Sequence, residues 1–136
     1  GALVADTLGL PYVYVRSAPK GHGLENLIEG ALKPGQKVVV IEDLVSTGSS
    51  SIKAVESIRN AGCEVIGMAA IFTYGFPEAT RRFKAANVEL VTLSNYNAML
   101  EVALDTNYIA AEELETLQEW RKDPANWGLD HADAKI

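Results

Sequence analysis

Short apolar runs rich in β-branched residues alternate along the chain with segments whose apolar residues recur at helical spacing. The runs at 38–41, 64–73 and 88–93 predict buried strands. Helical spacing, with glycine or proline at the ends, predicts helices from about 50 to 60 and from 77 to 86. Because a strand, helix, strand order favours right-handed crossovers between neighbouring parallel strands, the pattern predicts an α/β fold with a parallel sheet flanked by helices.

The remaining segments carry weaker patterns. We expect a helix and a strand at the start of the chain, then a long loop, and two helices with a polar tail at its end. Because loops this long inside a compact domain are commonly functional, the loop is a candidate lid over a ligand. The length of 136 residues fits a single domain over 1–136. These weaker segments span residues 1–9, 10–16, 17–30, 95–105, 110–122 and 123–136.

Composition excludes several classes of function. The net charge of −6 provides no general attraction to nucleic acid or to anionic membranes, so any phosphate site must be local. No apolar run reaches the roughly 20 residues of a membrane span, and no secretory signal is evident, so we expect a cytoplasmic protein. Cys63 is the single cysteine and begins an apolar run, which favours a buried structural role.

The candidate chemistry lies directly after the first predicted strand. Glu42 and Asp43 follow the run 38–41 at the carboxyl end of the strand, where ligands bind in open α/β sheets. The segment 46–50, Ser-Thr-Gly-Ser-Ser, then opens a helix and can direct backbone N–H groups and hydroxyls at an anion. Since carboxylates accept hydrogen bonds from sugar hydroxyls, the implied ligand is a phosphorylated sugar. The alternative is an ordinary strand-to-helix turn in which Asp, Ser and Thr cap the helix.

Residues 38–50 resemble the ribose-phosphate signature of type I phosphoribosyltransferases, which have a Rossmann-like core. The resemblance implies that Glu42 and Asp43 hold the ribose hydroxyls of phosphoribosyl pyrophosphate (PRPP), and that the following turn holds its 5-phosphate. It also implies that Ser46 touches the base. The resulting PRPP-binding set is Glu42, Asp43, Leu44, Val45, Ser46, Thr47, Gly48, Ser49 and Ser50.

The loop narrows the resemblance further. Arg16, Lys20, His22 and Gly23 have the order and spacing of the catalytic loop of orotate phosphoribosyltransferases. In that family the lysine contacts pyrophosphate and the loop closes over the neighbouring subunit, which implies a homodimer with 17–30 acting in trans. Positive charge on this loop would stabilise the departing pyrophosphate. The resemblance assigns catalysis to Lys20, Glu42 and Asp43, with Arg16 and His22 as further PRPP ligands.

The implied activity is a pentosyltransferase of pyrimidine (UMP) biosynthesis that converts orotate and PRPP to orotidine 5-monophosphate and pyrophosphate. Mg2+ is the expected cofactor, held mainly by substrate oxygens rather than by protein ligands. The chain resembles the C-terminal two-thirds of the family domain, without the helical hood and the pyrophosphate loop. Two alternatives stay open: transfer to another base, and a non-catalytic PRPP-sensing regulator. The base-pocket roles of Tyr74, Phe76, Arg81 and Arg82 also stay open.

Overall fold

The computed structural model describes residues 1–17 and 27–128. The chain divides into two compact units, Gly1–Leu93 and Ser94–Ile136. The prediction of a single domain over 1–136 with a tail from 123 stays a prediction. The described elements, in chain order, are α1 Ala2–Leu8, β1 Tyr14–Val15, β2 Ile28–Glu29, β3 Lys37–Val45, α2 Ser49–Asn60, β4 Glu64–Thr73, α3 Pro77–Ala85, β5 Leu90–Asn95, α4 Tyr96–Asp105 and α5 Ala111–Lys122.

The first unit contains a three-stranded sheet in the order β3-β4-β5. Strands β3 and β4 are parallel, with a register that runs from Lys37 opposite Glu64 to Val45 opposite Thr73. An irregularity between Val38 and Val39 shifts this register by one residue. The predicted α/β architecture and its parallel strands are therefore confirmed.

The hydrophobic core of this unit lies between the sheet and the helices α2 and α3. Val55 and Ile58 from α2 and Ala79 and Phe83 from α3 are all buried. Helix α3 begins at Pro77, whose fixed φ suits the first helical position, as the sequence predicted. Cys63 is buried in the same core, where its thiol donates to the Lys33 carbonyl at 3.1 Å. This burial confirms that Cys63 packs inside the core.

The prediction that strand 38–41 is buried on both faces was wrong. Val38 and Val40 pack against the core, whereas Val39 and Ile41 are 49% and 38% exposed. The reason is that α2 and α3 pack on one face of the sheet, so the side chains on the other face stay exposed. The same is true of Ile66, Ile71, Val91 and Leu93.

Two element boundaries also differ from prediction. β3 continues to Val45, so Glu42 and Asp43 lie within the strand near its end rather than after it. The strand predicted over 10–16 shortens to β1, which pairs antiparallel with β2 inside the predicted loop. Both differences arise from backbone hydrogen bonds, which do not depend on an apolar side-chain pattern.

The second unit contains α4 and α5. Asn95 caps α4, since its side-chain oxygen accepts from the Ala98 N–H at 3.1 Å. The Tyr96 hydroxyl donates to the Leu117 carbonyl at 3.1 Å, and its ring lies 5.5 Å from that of Trp120. Trp120 therefore packs within this unit. No helix in residues 1–17 and 27–128 combines the length and the apolar character needed to cross a membrane.

Candidate functional site

The acidic pair lies close to the carboxyl end of β3, and its two side chains have different environments. Glu42 is half-buried, and its Oε1 accepts a hydrogen bond from the Ser51 hydroxyl at 3.2 Å. Asp43 is exposed, and its Oδ1 accepts from the Leu44 N–H at 2.7 Å. The contact with Ser51 brings the first turn of α2 against Glu42. The two halves of the predicted ligand site are therefore adjacent.

The electrostatic environment raises the pKa of Glu42 above its ordinary value. Burial is the largest cause, because it disfavours the charged form of the carboxyl. The hydrogen bond from Ser51 lowers the pKa, and the neighbouring charge of Asp43 raises it. The upward effects prevail.

The turn after β3 leads into α2 through a left-handed glycine. Gly48 has φ 76° and ψ 4° and is the N-cap residue of α2. Because glycine has no side chain, it cannot satisfy the first N–H groups of the helix as Ser, Thr or Asp would. The alternative of a turn capped by a side chain is therefore wrong. Helix N–H groups of this kind, together with the helix dipole, are suited to a phosphate.

The hydroxyl-bearing residues of the turn surround this glycine. Ser46, Thr47 and Ser49 are partly exposed and Ser50 is exposed, whereas Gly48 itself is buried. A ligand at the turn can therefore reach hydroxyl donors as well as backbone donors.

Val45 anchors the start of the turn. Its side chain is 0% exposed, and its carbonyl accepts hydrogen bonds from the Thr73 hydroxyl at 3.1 Å and the Tyr74 N–H at 3.3 Å. The Thr73 hydroxyl in turn accepts from the Gly75 N–H at 3.0 Å. These bonds tie the end of β3 to the end of β4, so the turn begins from a fixed point.

Aromatic side chains follow the end of β4. The rings of Tyr74 and Phe76 stack with centroids 5.2 Å apart and planes within 5° of parallel. Arg81 and Arg82 lie on the exposed part of α3, where Arg82 pairs with Glu78 at 2.5 Å. Their environment is that of solvated helix residues.

The loop residues of the predicted site are only partly described. The Arg16 guanidinium is bound to the Glu29 carboxylate at 2.5 Å, and the Arg16 N–H donates to the Leu27 carbonyl at 2.7 Å. The strands β1 and β2 thus hold Arg16 at the base of the loop. Lys20 and His22 lie outside the described residues, and their roles stay predictions.

Sequence reasoning missed two residues of this site. Ser51 is 1% exposed and contacts Glu42, and Thr73 binds the Val45 carbonyl. Ser51 is the last of three consecutive serines, and only the phase of the helix distinguishes it, since it shares a face with Val55 and Ile58. Thr73 follows a strand that was predicted correctly, but its partner lies 28 residues away.

Mg2+ is the cofactor expected from the sequence. Within residues 1–17 and 27–128, no three side chains of His, Cys, Asp or Glu cluster as metal ligands. Mg2+ commonly keeps several waters and binds through substrate phosphates, so it does not require such a cluster. A Mg2+ held mainly by substrate oxygens stays a prediction.

Fold and site together define an α/β protein in which an acidic pair near the end of β3 lies beside the N-terminus of α2. The model of the family described as "Phosphoribosyl transferase domain" matches residues 2–107. The chain belongs to this family.

Three known proteins are similar to this chain. An orotate phosphoribosyltransferase of Bacteroides fragilis is 70% identical over 127 residues, which are 93% of this chain and 60% of that protein. The crystal structure of orotate phosphoribosyltransferase from Aeropyrum pernix has TM-score 0.63 and 26% identity, and the match covers 80% of this chain and 59% of that one. The Mycobacterium tuberculosis enzyme in complex with PRPP has TM-score 0.55 and 27% identity over 65% of this chain and 49% of that one. The chain thus spans about three fifths of the curated relative's length.

Proposed function

We propose that the protein carrying this chain is an orotate phosphoribosyltransferase of pyrimidine biosynthesis. It would transfer ribose 5-phosphate from PRPP to N1 of orotate, giving orotidine 5-monophosphate and pyrophosphate. The observation that carries the proposal is the contact between Glu42 on β3 and the first turn of α2. It lies between the residues proposed to bind the sugar and those proposed to bind the phosphate. The 70% identity to a protein of that name supports orotate as the base.

In the proposed complex, the acidic pair and the turn bind opposite ends of one ribose phosphate. Glu42 and Asp43 accept hydrogen bonds from the ribose hydroxyls, as ionised carboxylates do. The N–H groups of the turn and the N-terminus of α2 donate to the 5-phosphate. Ser46, the first hydroxyl of the turn, also contacts orotate. The donors to the phosphate are drawn from Leu44, Val45, Ser46, Thr47, Gly48, Ser49 and Ser50.

The chemical step breaks the bond between the anomeric carbon and pyrophosphate and forms the bond to N1 of orotate, while the proton of N1 is released to water. Positive charge develops on the ribose while negative charge grows on the leaving group. The carboxylates of Glu42 and Asp43 stabilise the former, and Lys20, with Arg16 and His22, stabilises the latter. Mg2+ would supply further neutralisation of the diphosphate charge.

We further propose a cytoplasmic homodimer in which the segment 17–30 acts on the site of the neighbouring subunit. The trans arrangement is tested by mixing two inactive variants, Lys20→Ala and Asp43→Asn. If the loop acts in trans, mixed dimers contain one site with both native residues and recover part of the activity. If the loop acts in cis, no site in the mixture has both, and activity stays absent.

The activity is tested by orotate-dependent release of pyrophosphate from PRPP, with calorimetric binding of PRPP measured in parallel. Release that depends on orotate, and that Asp43→Asn abolishes, supports the proposal. Release that depends on another base contradicts the choice of orotate. Binding of PRPP without release for any base would identify a sensor instead of an enzyme.

A further inference from the structure

Ser51 is a buried polar side chain in the first turn of α2. It is 1% exposed and shares its helix face with Val55 and Ile58, both of which are fully or almost fully buried. A buried hydroxyl costs free energy unless it finds a hydrogen-bond partner, and alanine would fill the same helical position without that cost. The hydroxyl at this position therefore calls for a specific partner.

The partner of Ser51 is not the usual one for a helical serine. Such serines commonly donate to the carbonyl four residues earlier, as Ser57 does to Lys53 at 2.9 Å on the same helix. The Ser51 hydroxyl instead donates across to Glu42 Oε1 on β3 at 3.2 Å. This bond links α2 to the carboxylate of Glu42.

We propose that Ser51 is a positioning residue whose hydrogen bond orients the Glu42 carboxylate toward the ribose hydroxyls of the donor substrate. This inference rests on the proposed function. Ser51 occupies one lone pair of Oε1, which leaves Oε2 and the remaining lone pairs to accept from the sugar. Ser51 itself does not touch the substrate; it acts through Glu42.

The neighbouring groups explain why Glu42 needs this support. Burial and the charge of Asp43 both favour the protonated form of Glu42, and a protonated carboxyl accepts fewer hydrogen bonds. On β4 the residue opposite Glu42 is Ala70, which is uncharged. The charged residues of α2, Lys53, Glu56 and Arg59, are exposed. The hydrogen bond from Ser51 acts in the opposite direction and favours the ionised form.

The test compares Ser51→Ala with the matched control Ser57→Ala, in which the lost hydroxyl is on the same helix but binds backbone. Two quantities are measured across pH: the titration of the Glu42 carboxyl by carbon NMR, and the affinity for PRPP by calorimetry. Ser51→Ala should raise the pKa of Glu42 and shift the acid limb of PRPP binding to higher pH. The loss of affinity near neutral pH should be about fivefold to tenfold, as for one hydrogen bond. Ser51→Thr, which keeps the hydroxyl, should recover the wild-type pH profile.

Three outcomes would overturn the inference: an unchanged acid limb in Ser51→Ala, an equal loss in Ser57→Ala, or a loss independent of pH with unchanged titration of Glu42. The last would indicate a packing effect. Failure of the proposed function has a different signature. In that case the wild-type protein binds no PRPP at any pH, yet Ser51→Ala still moves the titration of Glu42.

Discussion

Substitution of Gly48 tests whether the shape of the turn over residues 46–50 depends on a residue without a side chain. Its φ of 76° is left-handed, and a Cβ built there would lie 3.1 Å from Cε2 of Phe83 and 3.5 Å from Cα of Ala79. Phe83 is only 4% exposed, so its ring has little room to move away. Gly48→Ala therefore meets both a backbone cost and a packing cost.

Both costs have known scales. The left-handed conformation costs a residue with a Cβ about 1–2 kcal/mol. Forcing an additional methyl group into a packed core costs about 1–3 kcal/mol. We expect Gly48→Ala to lower the free energy of unfolding by about 2–5 kcal/mol, a large part of the total of about 5–15 kcal/mol for a typical domain.

Gly35→Ala is the matched control. Gly35 has φ 86°, but nothing lies within 4 Å of a Cβ built there, so only the backbone cost applies. The entropy that alanine removes from the unfolded chain is common to both variants and cancels in their comparison. Urea unfolding should therefore place Gly48→Ala about 1–3 kcal/mol below Gly35→Ala at similar slopes.

Phe83→Leu in the Gly48→Ala background separates the two costs further. A smaller side chain should relieve the contact, so the double variant should lose less than the sum of the two single losses. Equal destabilisation by Gly48→Ala and Gly35→Ala would refute the packing argument. Strict additivity in the double variant would refute it as well.

Two further predictions concern charges at the site. In Glu42→Gln the uncharged side chain can still accept from Ser51. Because burial raises the folded-state pKa of Glu42, wild-type Glu42 contributes stability below its unfolded pKa and loses that contribution as pH rises through its folded pKa. The urea midpoint of Glu42→Gln should therefore rise relative to wild type between acid and neutral pH, while PRPP affinity falls; a pH-independent difference in midpoint would contradict this. Glu29→Ala should release Arg16 from a partly exposed ion pair, raising PRPP affinity up to about fivefold by calorimetry, whereas weaker binding would mean that Glu29 orients Arg16 for the ligand.

The fold was predictable where the sequence carries explicit boundaries. β4 matches its predicted range because Ala61-Gly62 ends the preceding helix and Pro77 begins the next. Gly62 has φ 81°, a conformation suited to a residue that terminates a helix. The adjacency of the acids and the turn was also predictable, because they follow one another in the chain, whereas their roles as ligands stay predictions.

Other features depend on contacts between distant residues and leave no local pattern. β2 is two residues long and exists through its pairing with β1, so a loop was expected there. The exposed face of β3 depends on which side α2 and α3 pack, and a run of valines does not encode that choice. Ser51 looks like its serine neighbours until the helix orients it toward Glu42.

The order of constraints along β3 explains how the site can be both rigid and polar. Glu42 pairs with Ala70 in the parallel ladder, so its backbone is fixed by hydrogen bonds that do not depend on its side chain. Three residues later Val45 is fully buried and doubly bound through its carbonyl, which fixes the start of the turn. The polar side chains of Asp43, Ser46 and Thr47, which lie between and after these points, are at least partly exposed and can face a ligand. A ribose phosphate would therefore meet donors and acceptors that are already ordered, and little of its binding free energy would be spent on arranging the backbone.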